Sequence, residues 1–386
     1  MVRVAFLLNY PTHYKGAINY FRNLFFAIDK NLKHEVKIFL FVPDNLSQEY
    51  IDIFSPFAQI IKTNILTRNS TKWVIDKIGE KLLDKNILLD RLLSNYKIDV
   101  VSHSSFISKK IKTVNWVMDF QHLHFPDLWT KKELKLTKQF LNRLITKSDR
   151  IFLSSASAFD DFKMEYDHLT DKVNILHFVC QPEEGLKIDL DERTKKDLLS
   201  KYDINRAFFY LPNQFWSHKN HEVTFKAVKI LKDKGYSPLL VTSGLMNDFR
   251  SKKDHIQGLL NYIKENDLSS NILLLGLIPY KDVLNLMILS QCIINPSFFE
   301  GWSSTVEESK TIGKPLILSD IKVHKEQKPE FGMYFDPNNV NELSIIMEKV
   351  INESVNHYSI EVEQLKKTLE NRTTAFAIDF AKGIKF

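Results

Sequence analysis

Glycine is scarce in this chain, at 11 of 386 residues, under half the usual share of about 7%. No G-x-G-x-x-G occurs, so the dinucleotide-binding fingerprint is absent. No G-x-x-x-x-G-K-[ST] occurs, which removes the P-loop NTPases. The patterns G-x-S-x-G, H-E-x-x-H and C-x-x-C are missing too, and elbow-type esterases and zincins lose weight with them. Cysteine is rarer still. Cys180 and Cys292 cannot build a disulfide framework and point to a reducing compartment. No apolar run reaches the roughly 18 residues that a membrane span needs. The opening stretch 1–8 is too short for a signal segment and reads as a buried strand.

What is present is ordinary globular material, 44% apolar and 26% charged. The length suggests two domains, at about 150 residues each. The net charge of +6 is unevenly spread. Residues 1–180 hold 26 Lys and Arg against 19 Asp and Glu; residues 181–386 hold 27 against 28. The basic half suits an anionic partner, and an uneven lysine bias without a partner fits equally well.

The chain alternates short apolar runs with amphipathic stretches, the rhythm of an α/β fold. Strands are expected at 2–8, 36–42, 57–61, 99–102, 113–118, 150–153 and 173–176. Helical spacing marks 16–28 and 73–93. Near 181–190 the periodicity stops and a linker is expected. The rhythm restarts with a helix at 191–202. Strands follow at 207–211, 238–242, 271–275, 292–295 and 315–318. Helices are expected at 220–234, 281–290, 304–312 and 340–351, with a last helix over 360–386. Two doubly wound domains joined by a linker leave a cleft where the strand carboxyl ends bind ligands.

Four strand-end stretches carry chemistry. The sharpest is Asn295-Pro296-Ser297-Phe298-Phe299-Glu300-Gly301-Trp302-Ser303-Ser304-Thr305-Val306-Glu307-Glu308. Gly301 can take a positive φ or admit a ligand. The helix opening at Ser303–Thr305 offers amides and a positive dipole end to an anion. A plain capping box of Ser303 or Ser304 with Glu307 explains the serines equally well. The second stretch, Pro212-Asn213-Gln214-Phe215-Trp216-Ser217-His218-Lys219-Asn220-His221, sets Lys219 at a helix start, where it can reach a phosphate. His218 and His221 have no third ligand at metal-site spacing. The third, Asp119-Phe120-Gln121-His122-Leu123-His124, offers His122 for a substrate oxygen or proton transfer. A histidine satisfied by backbone is the alternative. The fourth is Tyr10-Pro11-Thr12-His13-Tyr14-Lys15-Gly16, entering the first helix.

Together these stretches resemble a family 4 glycosyltransferase of the GT-B fold. Glu300 and Glu308, with seven residues between, are similar to that family's two-glutamate motif. Asn213-Gln214-Phe215-Trp216…His218-Lys219-Asn220-His221 resembles a subgroup acting on bacterial surface polysaccharides. Leu275-Gly276-Leu277-Ile278-Pro279-Tyr280 resembles the base-binding loop. The resemblance implies two Rossmann-like domains facing a cleft, with 1–183 binding an acceptor and 184–365 binding a nucleotide sugar. Residues 366–386 would form a helix returning to the first domain. Lys219 would hold the diphosphate, with amides at Gly16, Ser304 and Thr305. Glu308 would hold the ribose and Glu300 the sugar. The backbone around Gly276, Leu277 and Ile278 would read the base, and His122 would approach the sugar. The implied reaction retains anomeric configuration and needs no metal or other cofactor. The implied partners are a nucleotide-sugar donor and a glycan or lipid-linked glycan acceptor, and the implied setting is cytoplasmic, peripheral to the inner membrane face.

The sequence departs from the family where an arginine usually precedes the lysine; Asn213-Gln214 stands there. Lys15 or Arg250 could supply that charge. Trp302-Ser303-Ser304 replaces the usual Gly-Leu-Pro, and Lys15-Gly16 replaces Gly-Gly. Asp189-Leu190-Asp191 spells the D-x-D of metal-dependent transferases, but in a charged linker it suits a helix start. Residues 131–150 alternate lysines with leucines. They fit either an amphipathic face on anionic lipid or, preferably, a solvated face with its leucines packed inward. Nucleic-acid binding lacks a reading motif. A sugar-nucleotide epimerase and a non-catalytic binding subunit of the same fold are the rival functions; an epimerase would act on the donor alone.

Overall fold

A computed structural model of the chain describes residues 1–8, 15–83, 85–182, 190–248, 255–353 and 361–386. The chain divides into two compact units. One comprises Met1–Cys180 with Glu370–Phe386, the other Gln181–Leu369.

Among the described residues, the first unit carries strands β1 (Val2–Leu7), β2 (Val36–Pro43), β3 (Gln59–Thr63), β4 (Val100–Ser102), β5 (Lys112–Val117), β6 (Arg150–Leu153) and β7 (Val173–Ile175). They form one parallel sheet in the order β3-β2-β1-β4-β5-β6-β7. Each strand falls on a run expected from the sequence. Parallel strands covered on both faces are apolar almost throughout, as Val-Ala-Phe-Leu in β1 illustrates. The 73–93 stretch is not one helix. It divides into Thr71–Leu83 and Ile87–Asn95, because the Asp76 carboxylate accepts the amide hydrogens of Leu88 and Leu89 (2.9 and 3.3 Å). A side chain of the first helix thus satisfies the start of the second.

The second unit carries β8 (Phe209–Leu211), β9 (Leu240–Thr242), β10 (Ile272–Leu274), β11 (Cys292–Asn295), β12 (Leu316–Ser319) and β13 (Gly332–Phe335). They run parallel in the order β10-β9-β8-β11-β12-β13. Side-chain alternation splits the interior into two layers. Phe209, Leu211, Cys292, Ile294 and Ile317 face one; Phe208, Tyr210, Ile293, Leu316 and Leu318 face the other. β13 is an edge strand that the sequence did not reveal, since Gly-Met-Tyr-Phe shows no alternation. The helices Gln48–Phe54, Ala156–Tyr166 and His255–Glu265 were likewise not anticipated. Both cysteines are buried, and neither forms a disulfide.

The final helix spans Val362–Ile384. Its last turns are fastened to the first unit, with Arg150 donating to the carbonyl of Lys382 at 2.9 Å and Phe380 stacking on Phe152 at 5.7 Å. A methyl group at Gly383 would lie 2.2 Å from Cε1 of buried Phe152. Gly383→Ala is therefore expected to destabilise the first unit by about 1–3 kcal/mol. Urea unfolding measures this, and an unchanged midpoint would contradict the close packing.

Candidate active site

In the second sheet the strand order reverses between β8 and β11, which are neighbours although β9 and β10 lie between them in sequence. Ligands of doubly wound sheets bind beyond the strand carboxyl ends at such a reversal. The chain leaves β8 at Leu211 and reaches Lys219; it leaves β11 at Asn295 and reaches Glu300. Two stretches singled out in the sequence therefore meet.

They meet through an ion pair. Lys219 Nζ lies 2.7 and 2.8 Å from the two carboxylate oxygens of Glu300, and the two side chains are only 15% and 9% exposed. Ser297 Oγ donates to Glu300 Oε1 at 2.7 Å. Burial alone would push the Glu300 carboxyl up. The Lys219 charge, nearby His324 and hydrogen bonds from Lys219 and Ser297 outweigh it and hold the pKa at about 2. Glu300 is thus a fixed anion.

Asn295, the last residue of β11, joins the surrounding loops. Its Nδ2 donates to Ser303 Oγ at 2.9 Å, and its Oδ1 accepts from Asn213 Nδ2 at 2.9 Å and lies 2.7 Å from Ser297 Oγ, an alternative acceptor for that hydroxyl. Asn213 Oδ1 accepts from Thr305 Oγ1 at 3.2 Å. Ser303 caps the Ser304–Ile312 helix through the Val306 amide. Glu307 does not complete a capping box. It accepts from Gln327 Nε2 and Lys310 Nζ, both at 3.0 Å, and Gln327 takes the Ser303 amide at 3.2 Å. The helix N-terminus, with its positive dipole end, is thereby fixed beside the ion pair.

Further out, Tyr280 Oη donates to Glu308 Oε1 at 2.6 Å. Gly276 (φ +64°) accepts at its carbonyl from the Gly244 amide at 2.8 Å. Leu277 is exposed, while Ile278 packs on the core. Gly301 is not among the positive-φ glycines. The left-handed glycine nearest the Asn213 loop is Gly244, whose added Cβ would stand 2.3 Å from the Asn213 carbonyl oxygen.

The structure thus draws Lys219, Glu300, Asn213, Ser303 and Thr305 into one network and ties Glu308 to Tyr280. Asn213 and Gln214 spend side-chain atoms on scaffolding, the latter accepting the Leu245 amide at 2.8 Å. His221 is fully buried and stacks on Phe215 at 4.1 Å; burial lowers its pKa to about 3. Among the described residues, no group of three His, Cys, Asp or Glu could hold a metal ion. In the first unit, His122 sits on the short helix Gln121–His124, largely buried, and burial lowers its pKa. Lys15 and Gly16 open the helix Lys15–Leu32; Tyr10–Tyr14, Asp189 and Arg250 lie outside the described residues. Sequence reasoning quoted Asn295, Ser297 and Tyr280 within its stretches without giving them a role, and missed Gln327. Of these, Asn295 had a signal, because an asparagine ends one strand and Asn213 closely follows another.

Residues 194–371 match the family model described as glycosyl transferases group 1. Over 245 residues the chain is 20% identical to O-antigen chain mannosyltransferase RfbU of Salmonella typhimurium, covering 63% of this chain and 62% of that protein. The chain thus spans less than two thirds of that relative's length. Among solved structures, HepE of Anabaena, determined with UDP and glucose, superposes with a TM-score of 0.70 at 12% identity, over 99% of both chains. A glycosyltransferase from Rickettsia africae gives 0.66 at 15%, over 99% of this chain and 98% of that one. The fold is GT-B, with two Rossmann-like units.

Proposed function

We propose that this chain, whose residues 194–371 match the glycosyl transferases group 1 model, moves a sugar from a nucleoside diphosphate to a glycan or lipid-linked glycan in surface-polysaccharide synthesis. The observation that carries the reading is the buried Lys219–Glu300 pair at the strand-order reversal, beside a capped helix N-terminus. The names of the relatives, mannosyl transfer to O-antigen among them, support the substrate class.

The proposed chemistry follows from the charges. As the bond from the anomeric carbon to the diphosphate breaks, the carbon gains positive character and the diphosphate gains negative charge. Lys219, turning from Glu300 to the donor, meets that charge together with the dipole end at Ser304 and Thr305. Glu300, released from Lys219, takes sugar hydroxyls. Glu308, oriented by Tyr280, takes the ribose. The backbone at Gly276–Ile278 is assigned to the base. With Lys219 and the helix dipole end on the leaving diphosphate, the proposed transfer uses no metal and retains anomeric configuration.

A thermal-shift panel of UDP-, GDP-, ADP- and dTDP-sugars identifies the donor. With that donor, Glu300→Gln is expected to lower turnover by about 10²–10³ while nucleoside diphosphate binding persists. Wild-type turnover in this variant would sink the assignment. NMR of the product's anomeric proton reads the stereochemistry.

A further inference from the structure

A histidine stands behind the Lys219–Glu300 pair with half of its hydrogen bonding unused. His324 lies on the short helix Lys322–Gln327 and is fully buried. Its Nδ1 faces the Ser319 carbonyl at 3.0 Å and Ser319 Oγ at 3.2 Å. A carbonyl only accepts, so Nδ1 carries the hydrogen. The Ser319 hydroxyl gives its own hydrogen to the Ser297 carbonyl, which leaves its oxygen as a second acceptor for Nδ1. The tautomer is thereby set, and Nε2 is a bare acceptor. Among the described residues, no hydrogen-bond partner reaches it. A buried polar atom left unmet calls for a reason.

Its neighbours supply one. Ser297, whose carbonyl ends this relay, sets its hydroxyl 2.7 Å from Glu300 Oε1. The ring also lies within electrostatic reach of both members of the ion pair. Burial lowers the His324 pKa; the Glu300 charge and the bond to the Ser319 carbonyl work against burial, and the Lys219 charge works with it. The other charged groups nearby are matched already, Asp320 with Lys325 at 2.6 Å and Glu307 with Lys310 at 3.0 Å. Tyr334 Oη, from β13, donates to the His324 carbonyl at 3.4 Å.

The proposed transfer moves Lys219 from Glu300 to the donor. That step strips a poorly solvated carboxylate of its counter-ion and withdraws a cation from the field at the histidine. We propose that His324 is the relief counter-ion of Glu300. As Lys219 leaves, Nε2 takes one proton from the buffer acid, delivered by water that enters behind the lysine. The imidazolium then balances the carboxylate for as long as the donor is bound. Nδ1 keeps its hydrogen and its bonds to Ser319, so the ring need not turn. Hydrogen bonds from Ser297 and Asn295 favour the charged form of Glu300, and those to Ser319 favour the charged form of the ring. His324 is therefore a positioning residue, which acts on the sugar through Glu300. The inference rests on the donor reading above and adds to it one proton taken up per donor bound.

Calorimetric titration at pH 7 tests it, with the nucleotide sugar that gives the largest shift in the thermal panel. Repeating the titration in buffers of different ionisation enthalpy counts the protons. The diphosphate of a nucleotide sugar has no group that titrates near neutrality, so any uptake belongs to the protein. Uptake of about one proton per donor is expected. His324→Asn, whose amide can keep the bond to the Ser319 carbonyl, should take up none and bind donor about tenfold more weakly. Glu300→Gln leaves no charge to balance and should also take up none, with His324 intact. A merely structural histidine would leave the proton count unchanged. In wild-type chain carrying isotope-labelled histidine, donor should convert one imidazole from the Nδ1–H tautomer to imidazolium by NMR, a readout that needs no variant at this position. Donor binding with buffer-independent heat, or with every imidazole unchanged, would overturn the inference and leave the donor reading standing. Undiminished uptake in His324→Asn would put the proton on Glu300 instead and overturn it equally. No thermal shift with any nucleotide sugar would overturn both.

Discussion

Lys219→Ala is expected to lower turnover by about 10²–10³ and to destabilise the second unit by about 3–5 kcal/mol. The sequence alone suggests that such a change leaves the melting temperature unaltered, as for an exposed active-site lysine. The structure changes that expectation, because the lysine is the counter-ion of a carboxylate that is only 9% exposed. Removing it leaves an uncompensated charge in a poorly solvated place. The pH dependence gives the signature. In the wild type, Glu300 titrates at about 2 when folded, below its ordinary value of 4.5. Its contribution to stability is therefore full above the ordinary carboxylate range and is lost as pH falls toward 2. Without Lys219, burial acts far less opposed and drives the pKa up. The unfolded state then ionises more readily than the folded one, and the variant regains stability as pH falls through the raised pKa. Melting curves from pH 8 to 4 should show the gap to wild type narrowing with acid. Lys219→Ala/Glu300→Gln should restore much of the stability and none of the turnover. A single variant that melts like wild type at every pH would refute the account.

Gly244→Ala is expected to cost about 2–5 kcal/mol and to abolish nucleotide binding. The added Cβ would lie 2.3 Å from the Asn213 carbonyl oxygen and 2.8 Å from its carbonyl carbon. Those are backbone atoms, with no rotamer by which to escape. The φ of +148° also disfavours any side chain. Relief requires moving the Asn213 loop, which would break its bonds to Asn295 and Thr305, or the Gly276 loop that accepts the Gly244 amide. Gly258→Ala is the control. It sits within the His255–Glu265 helix with nothing within 4 Å of its would-be Cβ, so it should gain about 0.5–1 kcal/mol. Equal urea midpoints for the two variants would contradict the close approach.

What the sequence disclosed and what it withheld have physical reasons. Cys-Ile-Ile-Asn in β11 was legible because a central parallel strand is apolar on both faces. Gly-Met-Tyr-Phe in β13 was not, because an edge strand is only half covered. Lys219 and Glu300 stood out separately as strand-end residues before helices. Their pairing did not, since it depends on β11 lying beside β8, and strand order is not written in local periodicity. Gln327 was invisible for a related reason. It replaces a capping-box glutamate from 24 residues away, where local spacing carries no information. The exposure of Ile75, Ile78 and Leu82 on the helix Thr71–Leu83 was not legible either, because helical spacing of apolar residues does not tell which face is covered.

The adjacency of β8 and β11 also has a kinetic meaning. Lys219 and Glu300 are separated by 81 positions, and the strands β9 and β10 occupy the interval. Bringing them together closes a long loop, and that entropic cost comes before the contact can repay it. A nascent chain that has emerged only through β10 already holds Lys219 and the Gly244 turn, yet lacks the Glu300 carboxylate and the Ser304–Ile312 helix. The proposed donor site therefore depends on a contact of long sequence separation, and is expected to form after the local elements on either side of it. A second unit made only as far as β10 is accordingly expected to bind no nucleotide.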